Sequence, residues 1–418
     1  MLRAMGSRNY RLYFLGQAVS LIGTWIQQIA TRWLVYRLTK SELLLGVVGF
    51  ASDIPVFFLV PVAGVLADKF KRHRILAITQ ALAALQAMIL AVLVLTDQVA
   101  VWHIIVLGVL LGIINAFDIP ARQAFLVDVV ENREDLGNAI ALNSFVFNGA
   151  LLIGPSIAGV LIAFVGEGPC FILNGVSYLA LIGALFLMKI SERKVASANL
   201  QVGRGIVEGA SYAFRSVPIR SILLLVALVS FVGVSYMLLM PVFAAQILHG
   251  GPQAFGYLMS ATGAGALAGA VFLASRRNIN GFGKLIVAAG VSYGIGLSAL
   301  SLSHYLVVSL FIAAMIGFSL MLQMASSNTI VQTIVDDNKR GRVISLFVMA
   351  RRGVEAFGSL LAGALAHSLG SSVTLMIGGI VCILASLAFA TKVSLLKATS
   401  ISFYKNRKDA ILTAGRAV

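Results

Sequence analysis

The chain has 418 residues, of which 59% are hydrophobic and only 11% are charged. A soluble globular domain carries about 25% charged residues, so this composition excludes a soluble enzyme and indicates a polytopic membrane protein. The net charge of +16 does not indicate nucleic-acid binding, because the Lys and Arg residues alternate with apolar runs and form no single patch.

Twelve apolar runs are each long enough, at about 20 residues, to cross a bilayer as a helix. They cover residues 11–36, 43–67, 74–96, 101–127, 137–165, 169–189, 219–247, 253–275, 283–303, 305–331, 341–368 and 371–392. The sequence therefore predicts an all-α membrane protein with twelve transmembrane helices. The basic segment before the first run has no small-residue cleavage site, so we expect no cleavable signal peptide.

The basic residues predict the orientation of the spans. The two terminal segments and the loops after even-numbered spans hold most Lys and Arg residues, whereas the opposite loops hold little beyond Arg37 and Lys40. Since cytoplasmic loops are enriched in Lys and Arg, both termini are expected in the cytoplasm. An even number of spans requires the same arrangement.

The polar segment near the midpoint divides the chain. The predicted parts are a six-helix bundle over 1–189, a cytoplasmic linker over 190–218, a second six-helix bundle over 219–393 and a basic cytoplasmic tail over 394–418. Residues 206–214 of the linker predict an amphipathic surface helix. With a shift of 204 residues, small residues of span 5 lie over those of span 11, including Gly159 over Gly363 and Gly166 over Gly370. This register indicates the parallel repeats of a secondary transporter.

The turn between spans 2 and 3 carries a family resemblance. It reads Gly64-Val65-Leu66-Ala67-Asp68-Lys69-Phe70-Lys71-Arg72-His73-Arg74. This pattern resembles the signature loop of the major facilitator superfamily, although Lys71 stands where the superfamily often has Gly. Residues 23–27, 33–39, 118–125, 135–144 and 154–155 resemble the bacterial branch that includes the enterobactin exporter and drug:proton antiporters. The resemblance covers nearly all of the chain and implies two pseudo-symmetric six-helix bundles.

The chain departs from that branch in the charges of spans 5 and 11. Such exporters often carry Arg at the position of Leu151, and their span 11 is usually apolar where this chain has Arg351, Arg352 and Glu355. Under the shift of 204 residues, Leu151 lies over Glu355. A proton-coupling scheme that uses the first-half Arg therefore does not transfer to this chain.

Two carboxylates and two neighbouring arginines are the proton-coupling candidates. A charged side chain at mid-bilayer costs at least about 2.5 kcal/mol, and counting from the span ends places Asp53 and Glu355 near the midplane. Arg351 and Arg352 precede Glu355 by four and three residues, so they share its helix face. Each carboxylate either exchanges a proton or is neutralised in a fixed pair, Glu355 with these arginines and Asp53 with Arg32.

Uncharged polar and aromatic side chains at central depth are candidates for a substrate cavity, namely Trp25, Gln27, Gln28, Asn115, Asn148 and Tyr236. The alternative for the Gln and Asn residues is hydrogen bonding between helices. Asp118 and Arg122, at a spacing of four residues, are expected to form a structural pair. No anion-recognition cluster, such as paired mid-bilayer Lys residues, is predicted.

The resemblance also implies a conformational latch. In the superfamily the Asp equivalent to Asp68 meets the N-terminal end of span 11 when the cytoplasmic side is closed, and Gly64 permits close helix approach. Arg342 lies at that end of span 11 and is expected to strengthen the latch, and Arg72 is expected to reach Asp128 or Glu131. These contacts would bias the conformational equilibrium and would not bind substrate.

The chain lacks a Gly-rich phosphate loop and Cys/His clusters at metal spacing, so we expect no enzyme activity, cofactor or metal. The expected partners are a small-molecule substrate, protons and the lipid bilayer, without nucleic acid, for a monomer in the inner membrane of a bacterium. The predicted function is proton-coupled export of small amphipathic molecules, of the drug or siderophore class, by alternating access. The alternatives are a lysophospholipid or lipid-like flippase and a non-transporting membrane sensor.

Overall fold

The computed structural model describes residues 3–130, 133–188, 202–234, 236–276, 281–335 and 339–393. The first half contains six long helices: α1 (Arg8–Thr39), α2 (Glu42–Lys69), α3 (Arg72–Leu95), α4 (Val101–Val129), α5 (Leu136–Val165) and α6 (Gly168–Leu187). Helix α7 (Val202–Arg215) lies in the linker and contains the predicted amphipathic stretch. The second half contains α8 (Val217–Leu228), α9 (Tyr236–Val242), α10 (Gly251–Ser275), α11 (Phe282–Ser301), α12 (Leu306–Ile334), α13 (Arg340–Val348), α14 (Val354–Leu369) and α15 (Ser371–Ala390).

Two spans of the second half contain π-helical segments. Val229–Val234 and Phe243–Ile247 flank α9, so span 7 runs over Val217–Ile247. Met349–Gly353 joins α13 to α14 and completes span 11. A π-helical turn adds one residue to the helical turn, so the side chains beyond it point in directions that a regular helix does not predict.

Ten of the described helices are long and apolar enough to cross a membrane. The other two predicted spans are α1, which is rich in Gln and Arg, and the α13–α14 pair, which contains the π-helical break. Large apolar side chains face outwards, as at Phe164 and Phe186, which are 78% and 79% exposed. An outer surface of this kind suits lipid contact. The predicted all-α membrane fold is confirmed.

Two long helix pairs make the main contacts between the halves of the molecule. Helix α2 packs along α14, and α5 packs along α10. The sequence repeat equates span 2 with span 8 and span 5 with span 11, so these are the same contact made twice. The domain boundaries at 189/190 and 218/219 stay a prediction, since residues 189–201 lie outside the described part of the chain.

The matched Gly residues of the repeat end equivalent helices. Gly166 caps α5 with φ 78°, and Gly370 caps α14 with φ 87°. In each case the cap N–H donates to the carbonyl oxygen four residues earlier, that of Ile162 or Ala366. Gly adopts a positive φ at little cost, so the backbone conformation at the helix end explains why both halves have Gly at this position.

The halves touch closely at one end of the bundle. We call the end that carries α7 and the start of α1 the linker end, and the opposite end the far end. A Cβ atom on Gly46 of α2 would lie 3.0 Å from the Cα atom of Gly363 in α14. A Cβ atom on Gly256 of α10 would lie 2.8 Å from the Cα atom of Gly159 in α5. Both contacts lie at the far end, which is therefore closed.

Candidate functional site

Charged side chains from three spans meet at the contact between α2 and α14. Arg32 of α1 interacts electrostatically with Asp53 of α2 and with Glu355 of α14. Asp53 also interacts with Glu355 and Arg352, and Arg351 interacts with Arg352 and Glu355. We call these five residues the central charge cluster. It brings together all four proton-coupling candidates and adds Arg32.

The pair within span 11 has the predicted spacing but a loose geometry. Arg352 Nη1 lies 3.9 Å from Glu355 Oε2, and the two side chains are 37% and 17% exposed. This distance exceeds that of a hydrogen bond. Between them, Gly353 lies directly against the ring of Phe57, where a side chain would have no room. The missing side chain lets α2 approach the π-helical segment that carries both arginines.

Arg32 interacts with the carboxylates of both Asp53 and Glu355. Its Nη1 atom is buried and has no hydrogen-bond partner among the described residues. The rival partner expected for Asp53 is therefore present, but it interacts with Glu355 as well. The sequence did not predict that three arginines share one site with two carboxylates, because Arg32 lies more than 300 positions from Arg351 and Arg352 and only tertiary packing joins them.

Tyr236 adjoins the central charge cluster from the second half. It is 2% exposed, and its hydroxyl donates to Thr262 Oγ1 at 3.4 Å. Its ring meets Tyr293 edge-on with centroids 6.4 Å apart, and it interacts electrostatically with Arg32. This substrate-cavity candidate is thus next to the charged residues, and substrate contact by Tyr236 stays a prediction.

Two of the other cavity candidates are occupied by packing within the first half. The Gln27 amide donates to Gln86 Oε1 at 3.0 Å and accepts from Asn174 Nδ2 at 2.6 Å, so it links α1, α3 and α6. Asn148 Nδ2 donates to the Ser144 carbonyl oxygen at 2.7 Å. The Gln27 contacts favour the structural alternative of hydrogen bonding between helices, whereas the Asn148 contact stays within α5, so substrate contact by Asn148 stays a prediction. The half-buried candidates are Trp25, Gln28 and Asn115.

Asp118 and Arg122 form the expected structural pair. Asp118 Oδ2 accepts from Arg122 at 2.7 Å. Asp118 Oδ1 accepts from Thr79 Oγ1 at 2.8 Å and from Gln80 Nε2 at 2.9 Å. Because Thr79 and Gln80 belong to α3, this buried network ties α3 to α4.

The latch candidates are only partly described. The surroundings of Gly64, the side chain of Asp68 and the whole of Glu131 lie outside the described part of the chain. Arg72 Nη1 donates to both carboxylate oxygens of Asp128, at 2.9 Å and 3.0 Å. Arg72 therefore contacts Asp128, which is one of its two predicted partners, in this conformation.

Arg342 binds the linker helix. Its Nη1 atom lies 2.6 Å from Glu208 Oε2, and the neighbouring Lys339 lies over the Tyr212 ring at 4.3 Å. Both partners belong to α7, which also contacts α2. The linker helix thus bridges the two halves at the linker end. Sequence reasoning missed this contact because nothing local in α7 specifies its tertiary partner.

Sequence comparison finds a family and several relatives described by secretion, transport or efflux. Residues 3–409 match the family described as transmembrane secretion effector. The chain is 28% identical over 382 residues to the staphyloferrin A transporter of Staphylococcus aureus (strain NCTC 8325 / PS 47), covering 91% of this chain and 95% of the relative. It is 25% identical to the multidrug efflux pump Tap of Mycolicibacterium fortuitum, covering 85% and 88%. It is 23% identical to macrolide efflux protein A of Streptococcus pyogenes, covering 90% and 95%.

Solved transporters share the fold. The bacterial homologue of the human lysosomal transporter Spinster, in an inward-facing and occupied conformation, superposes with a TM-score of 0.69 at 13% identity, covering 95% of this chain and 98% of that chain. The nucleoside transporter NupG superposes with a TM-score of 0.68 at 13% identity, covering 92% and 97%. At this identity the likeness shows the fold alone.

Proposed function

Because the chain belongs to the transmembrane secretion effector family of the major facilitator superfamily, we propose that it exports small amphipathic molecules by proton-coupled alternating access. The relatives described as a siderophore transporter and as drug and macrolide efflux proteins support export of the drug or siderophore class. The proposed location is the inner membrane of a bacterium. With most Lys and Arg residues outside the spans at the linker end, the positive-inside rule places that end and both termini in the cytoplasm.

The observation that carries the coupling proposal is the position of the central charge cluster across the two halves. Arg32 and Asp53 belong to the first half, whereas Arg352 and Glu355 belong to the second. Arg32 attracts Glu355 and Asp53 attracts Arg352 across the halves, while the carboxylates of Asp53 and Glu355 repel each other. A proton on either carboxylate removes one of these attractions together with that repulsion. Proton binding therefore changes the free energy of the α2–α14 contact and biases the equilibrium between conformations.

The closed far end supports alternating access. In the proposed orientation the far end faces the outside, so backbone contact at Gly46/Gly363 and Gly159/Gly256 closes the outer side. Export requires the opposite conformer as well, in which these contacts separate. The proposed latch of Asp68, Gly64 and Arg342 acts in that conformer by closing the linker end. In the present structure Arg342 is paired with Glu208, so the latch would have to exchange this partner for Asp68.

Substrate-linked proton flux in proteoliposomes with an imposed pH gradient tests the proposal. With the wild-type chain, we expect uptake of a fluorescent dye by inside-out vesicles to be accompanied by proton movement. In Asp53→Asn and Glu355→Gln, the proton flux per dye molecule transported should fall at least tenfold. Asp97→Asn removes an exposed carboxylate in the turn after α3, outside the cluster, and is the matched control. Normal coupling in both cluster variants would show that the assigned roles are wrong. Lipid movement without a gradient would favour the flippase, and no transport at all would favour the sensor.

A further inference from the structure

We propose that the central charge cluster binds an anionic group of the exported molecule, such as a carboxylate, a phenolate or a phosphate. This inference rests on the proposed export function and narrows its substrates from amphipathic molecules in general to amphipathic anions. The site would lie between the halves at Glu355, which interacts with Arg32 from the first half and with Arg351 and Arg352 from the second.

The central charge cluster leaves positive charge uncompensated. Three guanidinium groups share the site with two carboxylates, those of Asp53 and Glu355. Arg is not deprotonated in proteins, so at least one positive charge remains after internal pairing. A proton on either carboxylate leaves two. A positive excess in a membrane-embedded site needs a partner, and an anionic ligand supplies one.

Guanidinium donors of the central charge cluster make no hydrogen bond among the described residues. Arg32 Nη1 is buried and lacks a hydrogen-bond acceptor among the described residues. Arg352 stands 3.9 Å from Glu355 and keeps 37% of its side chain exposed. A buried donor without a partner is costly, and a planar guanidinium binds carboxylate or phosphate oxygens through two parallel hydrogen bonds. These donors therefore match the oxygens of an anion.

Aromatic side chains near the arginines suit the remainder of the ligand. Phe57 packs against Gly353, next to Arg352, and Tyr236 interacts electrostatically with Arg32. The arginines thus have aromatic neighbours from α2 and α9. A molecule with one anionic end and an aromatic or apolar body fits this combination of charge and apolar surface.

Two dyes that share a three-ring xanthene core but differ in charge test the inference. We would titrate fluorescein, an anion, and tetramethylrhodamine methyl ester, a cation, into the full chain purified in detergent, and would follow fluorescence anisotropy. Fluorescein is expected to bind at least tenfold more tightly, which corresponds to about 1.4 kcal/mol. Arg351→Gln and Arg32→Gln are each expected to weaken fluorescein binding at least tenfold, whereas Arg351→Lys retains most of it.

Arg276→Gln is the matched control. It removes an exposed cation at the end of α10, where Arg276 lies over the Phe272 ring, and should leave both affinities unchanged. Thermal unfolding of each variant checks that it is folded. Equal binding of the dyes, a preference for the rhodamine, binding of neither dye, or an unchanged affinity in folded Arg351→Gln and Arg32→Gln would each overturn the inference. Absence of substrate-linked proton flux in the wild-type chain, with the fluorescein preference intact, would instead contradict the proposed transport mechanism alone.

Discussion

Replacement of Gly256 by Val is expected to open the far end of the bundle. A Cβ atom at this position of α10 would lie 2.6 Å from the Pro155 carbonyl oxygen and 2.8 Å from the Gly159 Cα atom of α5. Both obstacles are backbone atoms, so neither can rotate away as a side chain could. The two helices therefore have to separate to accommodate valine.

The expected size of the effect follows from overpacking. Extra methyl groups in a packed contact cost about 1–3 kcal/mol. This strain exists only while α5 and α10 are in contact, so it raises the free energy of the far-end-closed conformer relative to the open one. A difference of about 1–3 kcal/mol changes the ratio of the two conformers by about 5- to 150-fold.

Cysteine reactivity at the other inter-half contact would report the opening. Ser359 of α14 is 6% exposed and packs against Gly46 and Gly49 of α2. In a Ser359→Cys background, the introduced thiol should react slowly with a water-soluble maleimide while the far end is closed. Addition of Gly256→Val is expected to raise the reaction rate at least fivefold. The natural Cys170 and Cys382 are buried, so their background labelling should be low.

Gly183→Val is the control for a general loss of packing. No described atom lies within 4 Å of a Cβ atom built on Gly183 of α6, so valine there should leave the reaction rate unchanged. The reasoning fails if Gly256→Val leaves the introduced thiol as slow as before. It also fails if Gly183→Val accelerates labelling as much.

Two further predictions concern ion pairs of different burial. Asp118→Asn should lower stability by about 3–5 kcal/mol, because it leaves Arg122 as an uncompensated buried charge. Asp128→Asn should cost less, because the Asp128 side chain is 18% exposed. Equal shifts in thermal unfolding temperature for the two variants would contradict this prediction. Glu208→Gln breaks a pair whose side chains are 44% and 50% exposed, so stability should change by less than about 1 kcal/mol. Amide hydrogen exchange in Val202–Arg215 should nevertheless rise, and unchanged exchange would contradict a tether to Arg342.

Hydropathy and length were sufficient to predict the helices but not their interruptions. The predicted span over 219–247 matches Val217–Ile247 because a bilayer requires a long apolar run. The π-helical segment Met349–Gly353 left no such signal, because it keeps the helical pattern and differs only by one residue in a turn. Its position depends on tertiary packing, including the contact of Gly353 with Phe57.

The candidate site was predictable where its members are close in the sequence. The spacing of Arg352 and Glu355 predicted their interaction, which the structure places at 3.9 Å. The spacing cannot show that Arg32 joins them, since this depends on how α1 packs beside α2 and α9. Gln27 illustrates the reverse case: its depth and polarity resemble those of a cavity residue, but its partners on α3 and α6 occupy its amide.

The two inter-half contacts have the same ancestry in the repeat but different chemistry. At the α2–α14 contact, Glu355 faces charges from the other half. At the α5–α10 contact, the equivalent position is Leu151, which is buried and packs against Gly263, and the polar link described there is a neutral hydrogen bond of 2.7 Å between Ser156 and Ser260. A proton can therefore change the electrostatic energy of the first contact, while the second has no carboxylate among its described residues to titrate. It follows that a change in protonation acts on one side of the central axis, at the α2–α14 contact.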